Sequence, residues 1–408
     1  MQKISFLPQY NLILVRYNEI WLKSTKVKIR MLKTLMRNMK NMLNRAQIPF
    51  LKYQLSKDST RIFYFFKNEY LAEVVAIFKK VFGIHSFSPA LRTSSNIKNI
   101  SEKAIEVAEQ ILKNGDTFAL RVKRSGTHDY SSKDIARQVG QDIIDHFLNT
   151  NIQLKVNLTN PDKKIFIEVR RDFSYIFTDV IESDWGGLPI ESNKKIAVMD
   201  VGRINDLLAG FLLMRRGSEI YPFLFDISQD DKLYNQWILN WKEITAFTPS
   251  FKFSIMRIKL YDILKNIINN KVKKEHVCGT CRVLRLKILS TLLSNSKEGA
   301  LEGIRALTDG VSLTNSSICY DNIDLDSLSL NYLCSDFPIF TPIIGLDLTV
   351  IKEILSKISK NLTQIKYCPF RPKDQEVDVN ELSKFLKSSE TNRIITTCIS
   401  KVERINII

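Results

Sequence analysis

An α/β protein of several domains is what this chain predicts, and three observations carry that expectation. Its 408 residues are 44% hydrophobic and 25% charged, an ordinary globular balance that can bury a core in each of two to four domains. Strand-like and helix-like stretches alternate along the chain, and beyond residue 189 they run strand, helix, strand, the order of a parallel sheet with crossover helices. The halves also differ chemically: residues 20–45 hold eight Lys or Arg and no Asp or Glu, whereas all six cysteines lie beyond residue 277.

Residues 10–17 read as a strand. The following segment places Ile29, Leu32, Leu35, Met36, Met39 and Leu43 at helical spacing, with Lys26, Arg30, Lys33, Arg37 and Lys40 as a second stripe on the same helix. Residues 61–66 read as a strand and 70–80 as a helix ending in a loop over 82–89, together a small α+β unit. Helices are expected over 100–113 and 132–147, and strands over 117–123, 164–170 and 175–179. The loop Asp184-Trp-Gly-Gly-Leu-Pro189 marks a boundary. Beyond it come a strand over 195–200, a helix over 204–216 stopped by Gly217, and a strand over 219–226. A helix after Cys281, the turn Thr308-Asp-Gly310 and a helix over 349–360 complete the reading.

A formal charge of +17 and a pI near 9.5 exceed what solubility needs and point to an anionic partner. Nucleic acid is favoured over a membrane, because no apolar stretch approaches the roughly 18 to 20 residues that span a bilayer. The start lacks the apolar core of a secretory signal, so a cytoplasmic protein is expected. Lys26, Arg30, Lys33 and Arg37 lie on a helix with no acidic partners, which leaves phosphate contact and a plain solvated face both open. A second basic edge runs through Arg121, Lys123 and Arg124 to a glycine turn. Ser131 or Ser132 then caps a helix that carries Arg137 and whose N-terminus favours an anion.

Cysteines that cluster in a large chain argue for reduced thiols, a metal site or a redox site rather than structural disulfides. Cys278-x-x-Cys281 suits zinc, a redox pair, one side of a cluster, or simple buried thiols. Cys319, Cys334 and Cys398 belong to no motif and read as core or incidental. His276, beside Cys278, is either a fourth ligand or a satisfied loop histidine, and Asp347 reads as a helix cap. His85, His128 and His146 suggest no catalytic arrangement.

Several stretches carry a family resemblance. Residues 117–140 together with Asn160-Pro-Asp162, Glu168-Val-Arg170 and Gly186-Gly-Leu-Pro189 resemble the RNA-binding THUMP domain. Val15-Arg-Tyr-Asn-Glu-Ile-Trp-Leu-Lys23, Ala209-Gly-Phe-Leu-Leu-Met-Arg-Arg-Gly217, Cys278-Gly-Thr-Cys-Arg282 and Phe337-Pro-Ile-Phe-Thr-Pro-Ile-Ile-Gly-Leu-Asp347 resemble the tRNA 4-thiouridine synthetase family of sulfurtransferases. The resemblance implies an N-terminal ferredoxin-like α+β domain over 1–75, a THUMP domain over 76–184, a parallel-sheet PP-loop pyrophosphatase-like domain over 185–372 and a C-terminal tail over 373–408. It implies tRNA as partner, ATP as the group that adenylates a uridine carbonyl, and a sulfur donor such as a cysteine desulfurase or sulfide. Members are commonly homodimers, some are linked to thiamine synthesis, and this chain is similar to archaeal-type members without a rhodanese domain. Cys368, in Tyr367-Cys-Pro369, matches the family's later cysteine. With Cys278 and Cys281 it implies either an iron–sulfur cluster with one iron open or a persulfide relay with Cys368 as carrier.

The nucleotide motif departs from the family's pattern. Val201-Gly-Arg-Ile-Asn-Asp206 stands where the family has Ser-Gly-Gly-x-Asp-Ser, so only Gly202 persists. Arg203 puts a side chain where backbone must approach phosphate, and Asp206 puts a negative charge at a helix N-terminus where phosphate would sit. Thr308-Asp309-Gly310 matches a Thr-Gly-Asp/Glu turn, and Ile318 stands for a glutamine. Arg282 is retained, and Met199 and Phe225, beside Asp200 and Leu224, resemble positions that pack on adenine. Two readings follow: a rearranged loop with Arg203 as a new phosphate ligand, or a catalytically impaired tRNA-binding paralogue with a vestigial ATP site.

Overall fold

The computed structural model describes residues 10–270, 272–296, 299, 301–313, 329, 331–332, 334–365, 368–373 and 376–408. Ile318, Cys319 and Tyr367 lie outside them. The chain folds as two units, Met1–Gly187 and Leu188–Ile408, dividing inside the loop read as a boundary.

The first unit runs β1 (Leu12–Arg16), α1 (Thr25–Arg45), β2 (Lys52–Leu55), β3 (Ile62–Phe65), α2 (Leu71–Phe78), β4 (Ser86–Ser94), α3 (Ile97–Ile111), β5 (Thr117–Ser125), α4 (Ser132–Leu148), β6 (Lys155–Val156), β7 (Lys163–Arg170), β8 (Phe173–Phe177) and β9 (Ile181–Glu182). Its nine strands form one sheet in the order β2-β3-β1-β4-β8-β7-β5-β6, with β9 also paired to β4. Helix α1 follows the apolar stripe: Leu32, Leu35, Met39 and Leu43 are buried, while Lys26, Arg30, Lys33 and Arg37 stay exposed. Ser131 caps α4 in a reciprocal arrangement with Asp134, accepting its N–H at 3.2 Å while Asp134 accepts the Ser131 N–H at 2.8 Å.

The expected loop over 82–89 is corrected in part, because residues 86–89 open strand β4. Proline reads as a breaker of central strands, since it cannot donate to the ladder. Here Pro89 pairs opposite Ile13 of β1, and on its other edge β4 passes from β9 (at residues 86 and 87) to β8 (from residue 91). Pro89 therefore sits where the second ladder is interrupted.

The second unit runs β10 (Glu191–Asp200), α5 (Ile204–Arg215), β11 (Ser218–Asp226), α6 (Asp231–Ile244), β12 (Ser254–Lys259), α7 (Tyr261–Asn270), α8 (Val277–Asn295), β13 (Ile304–Thr308), β14 (Ile339–Phe340), α9 (Leu348–Ile358), α10 (Val379–Lys387), α11 (Ser389–Ser400) and β15 (Glu403–Asn406). Its sheet has the order β14-β13-β10-β11-β12-β15, all neighbours parallel except the β12–β15 pair. Succession moves outward from β10 through β11 to β12, then returns to β13 on the other side. The carboxyl end of β10 is thus the switch point where open α/β sheets form their ligand crevice. Residues 373–408, read as a tail, supply α10 and α11, which pack on α8, and the edge strand β15. Asp347 caps α9 by accepting the N–H groups of Thr349 and Val350 at 2.8 and 2.9 Å, the structural role expected of it. Among the described residues no helix is long and apolar enough to cross a membrane.

Candidate functional site

The cysteine pair opens helix α8, where i,i+3 spacing turns Cys278 and Cys281 to one side. Gly279 between them lies under α10: a Cβ there would come within 3.0 Å of Leu382 Cδ1. Cys368 approaches from a stretch far along the chain, and all three cysteines line one cavity with Arg285 and the apolar side chains of Val201, Ile227, Leu264, Val277 and Phe370. Each of the three is half-buried. Three thiols beside a guanidinium are residue types that suit a soft metal or a sulfane sulfur. The cavity, however, is only about 20 Å³, and among the described residues the three sulfurs do not all lie within 4.8 Å of one another, so as it stands it does not fit a metal ion or an iron–sulfur cluster. Cys334 and Cys398 belong instead to the hydrophobic core, and burial pushes both thiols up to about 11. His276 is not among the residues around the cavity: Nδ1 faces the Glu376 carbonyl oxygen at 3.2 Å and Nε2 the Glu381 carboxylate at 3.5 Å.

Residues 200–206, at the switch point, are satisfied by their own carboxylates. Gly202 and Arg203 donate their backbone N–H groups to Asp200 Oδ1 at 2.6 and 3.2 Å, and Val201 donates its own to Asp206 Oδ2 at 3.3 Å. Asp206 Oδ1 also accepts the Gly310 N–H at 2.7 Å, and Arg203 pairs with Asp206 through Nε (2.9 Å) and Nη2 (2.7 Å). Asp206 and Asp200 are fully buried, and Arg203 is 7% exposed. The second Asp200 oxygen accepts Trp237 Nε1 at 2.5 Å and Trp241 Nε1 at 2.8 Å. Burial, then the charge of Asp206, lifts the Asp200 carboxyl to about 7 against these hydrogen bonds. As the loop stands it does not fit a pyrophosphate, because each backbone donor from Val201 to Arg203 already meets a carboxylate.

The remaining nucleotide candidates are likewise enclosed. Arg282, 1% exposed, pairs with Asp309 at 2.9 Å and donates to Asn331 Oδ1 at 2.6 Å. Met199 and Phe225 lie wholly within the core. Leu224 borders a cavity of about 30 Å³ that also touches Gly202 and Trp237, room for about one water.

Of the expected RNA contacts in the first unit, Lys123, Arg124 and Arg137 are exposed, as is the α1 stripe. A feature that sequence reading missed is the clasp on Glu168, which is 4% exposed. Arg170 Nε reaches its carboxylate at 2.6 Å, Arg61 Nε at 2.9 Å and Arg16 Nη2 at 3.5 Å. Burial alone would raise the Glu168 carboxyl, but the three guanidinium groups together hold it below its usual range.

Comparison with known proteins finds the same three-part order. Residues 12–88 match the ThiI ferredoxin-like domain, 94–179 the THUMP domain and 192–391 the Thiamine biosynthesis protein (ThiI) family. A probable tRNA sulfurtransferase of Saccharolobus solfataricus is 30% identical over 328 residues, 78% of this chain and 81% of that protein. The chain belongs to the tRNA sulfurtransferase family. A probable tRNA sulfurtransferase of Methanosarcina acetivorans is 27% identical over 356 residues, spanning 87% of this chain and 82% of the relative. A solved 4-thiouridine synthetase–RNA complex with bound ATP superposes at a TM-score of 0.78 with 18% identity, over 98% of this chain and 100% of that one. A Pyrococcus horikoshii structure superposes at 0.63 with 24% identity, over 85% and 99%. At such identities the two structures show the shared fold: ferredoxin-like and THUMP domains followed by a parallel-sheet domain.

Proposed function

We propose that this chain is a tRNA uridine sulfurtransferase that replaces O4 of a uridine by sulfur, with ATP as co-substrate. The observation that carries this reading is the convergence of Cys278, Cys281 and Cys368 on one cavity beside the switch point of the second unit. Relatives named as probable tRNA sulfurtransferases support the reaction class, and the solved relative described with RNA and ATP supports both substrates. Cys368 is the candidate sulfur carrier. Arg285 borders the same cavity as the three thiols. The exposed Lys26, Arg30, Lys33, Arg37, Lys123, Arg124 and Arg137 meet tRNA phosphates. Sulfur comes either from sulfide acting directly, or as sulfane sulfur from a cysteine desulfurase carried on Cys368, in which case Cys278 or Cys281 closes a disulfide with Cys368 as the sulfur passes to the uridine.

The test is thiolation of tRNA by the purified chain under anaerobic conditions with ATP and, in parallel, sulfide or a cysteine desulfurase with cysteine, read as 4-thiouridine by nucleoside mass spectrometry, with iron and sulfide content measured alongside. With the desulfurase, wild type should form the thionucleoside and Cys368→Ser should not. Undiminished product from Cys368→Ser with the desulfurase would remove the carrier role, and absence of product from wild type with either donor would remove the reading.

A further inference from the structure

Asp206 occupies a set of donors of the kind that bind anions. Its carboxylate is fully buried at the start of α5 and is met by the Val201 and Gly310 N–H groups and by two donors of Arg203. Backbone donors at a strand-to-helix turn plus a guanidinium are the parts from which anion sites are built. In this chain the anion is supplied from within. The neighbouring donors are used in the same way, since the Gly202 and Arg203 N–H groups end on Asp200. A triphosphate brought to the switch point would meet the same donors and would also be repelled by the enclosed Asp206 carboxylate.

We propose that Asp206 is an internal ligand of the nucleotide loop: ATP reaches the loop only by displacing this carboxylate, and Arg203, released from Asp206, then pairs with the incoming phosphate. The inference rests on the ATP use proposed for this domain and deepens it, by naming what limits nucleotide binding and which cation replaces the missing loop donors. Arg203 suits that exchange because a guanidinium pairs in the same two-donor manner with carboxylate and with phosphate. The carboxylate and the phosphate are alternative ligands of one donor set, so the affinity for ATP is its intrinsic value reduced by the fraction of molecules in which Asp206 is seated.

The experiment is equilibrium dialysis of radiolabelled ATP with magnesium against the full chain, comparing wild type with Asp206→Ser, with the isosteric Asp206→Asn, and with Asp206→Ser combined with Arg203→Ala. Far-ultraviolet circular dichroism checks that each variant is folded, and if the serine variant is not, the asparagine variant gives the comparison. ATP should bind at least tenfold more tightly to the Asp206 variants than to wild type, and the added Arg203→Ala should reverse most of that gain. Equal or weaker binding by the folded Asp206 variants overturns the proposal, as does an absence of binding by every form. Tighter binding that Arg203→Ala leaves untouched overturns the role of Arg203. Thiouridine formation by wild type at saturating ATP is scored separately: its absence would sink the sulfurtransferase reading without deciding the binding comparison, whereas product formed beside unchanged affinities would sink this inference alone.

Discussion

Gly310→Ala gives the most direct measure of how tightly the Thr308-Asp-Gly310 turn is pressed against the start of α5. A Cβ at residue 310 would lie 2.2 Å from the Asn205 carbonyl carbon, 2.3 Å from the Asp206 nitrogen and 2.5 Å from the Asn205 oxygen. These are backbone atoms, so no side-chain rotation relieves the overlap, and the turn must withdraw by about an ångström to reach ordinary contact distance. Overpacking of this kind costs about 1–3 kcal/mol. The same withdrawal breaks the 2.7 Å bond from the Gly310 N–H to the buried Asp206 carboxylate, and a hydrogen bond to a charged group contributes about 1.5–3 kcal/mol. One displacement produces both losses, so they overlap, and the expected destabilisation is about 3–5 kcal/mol. For a domain of this size that is a fall of roughly 6–20 °C in the unfolding midpoint. Differential scanning calorimetry of the full chain measures it, with Gly345→Ala as control, because nothing lies within 4 Å of a Cβ there. A Gly310→Ala midpoint within about 2 °C of wild type, beside an unchanged control, would refute the close approach.

In the first unit, Glu168→Gln leaves Arg16, Arg61 and Arg170 clustered without their shared carboxylate. The loss should be about 3–5 kcal/mol, the usual effect of removing one partner of a buried ion cluster. Urea unfolding reads it, and a loss below about 1 kcal/mol would mean that the cluster is solvated. Reversing Lys26, Arg30, Lys33 and Arg37 to Glu should weaken tRNA binding and flatten the dependence of log K on log salt by roughly 0.9 for each phosphate no longer neutralised. An unaltered slope would take α1 out of the RNA interface. For pH, the Asp200 carboxyl lies at about 7 when folded, against an ordinary value of 3.8. The folded state therefore holds this proton more firmly than the unfolded one, and the stabilisation it gives, full below about pH 4, is lost as pH rises through about 7. Stability of the second unit should fall between pH 5 and pH 8 in wild type and fall less in Asp200→Asn, which resembles the protonated form. An equal fall in both would sink the assignment to Asp200.

What the sequence disclosed follows from the range over which each signal acts. The α1 stripe was legible because burial at Leu32, Leu35, Met39 and Leu43 repeats within a single helix. The hydrophobic runs of β10 and β11 were legible because parallel strands covered on both faces need little else. Strand β4 was misread at Pro89, where the interruption that tolerates proline depends on β8 and β9, residues more than 80 positions away. The Glu168 clasp draws its guanidinium groups from positions 16, 61 and 170, and no local pattern marks such a site. The Asp200 anchor did leave a signal, since Trp237 and Trp241 stand four apart on α6 and their ring nitrogens require partners when buried. That Cys368 joins Cys278 and Cys281 was carried by motif resemblance, whereas Arg285 and the apolar lining became visible only with the fold.

The two chemical centres of the second unit share a wall. Val201 and Ile227 border the cysteine cavity and also the small cavity beside Gly202 and Trp237. Val201 is held by its N–H on Asp206, and Ile227 directly follows Asp226 at the end of β11. Val201 thus belongs both to the loop that Asp206 ties down and to the lining of the cysteine cavity, so the packing around the thiols and the hydrogen bonding of residues 200–206 rest on one residue.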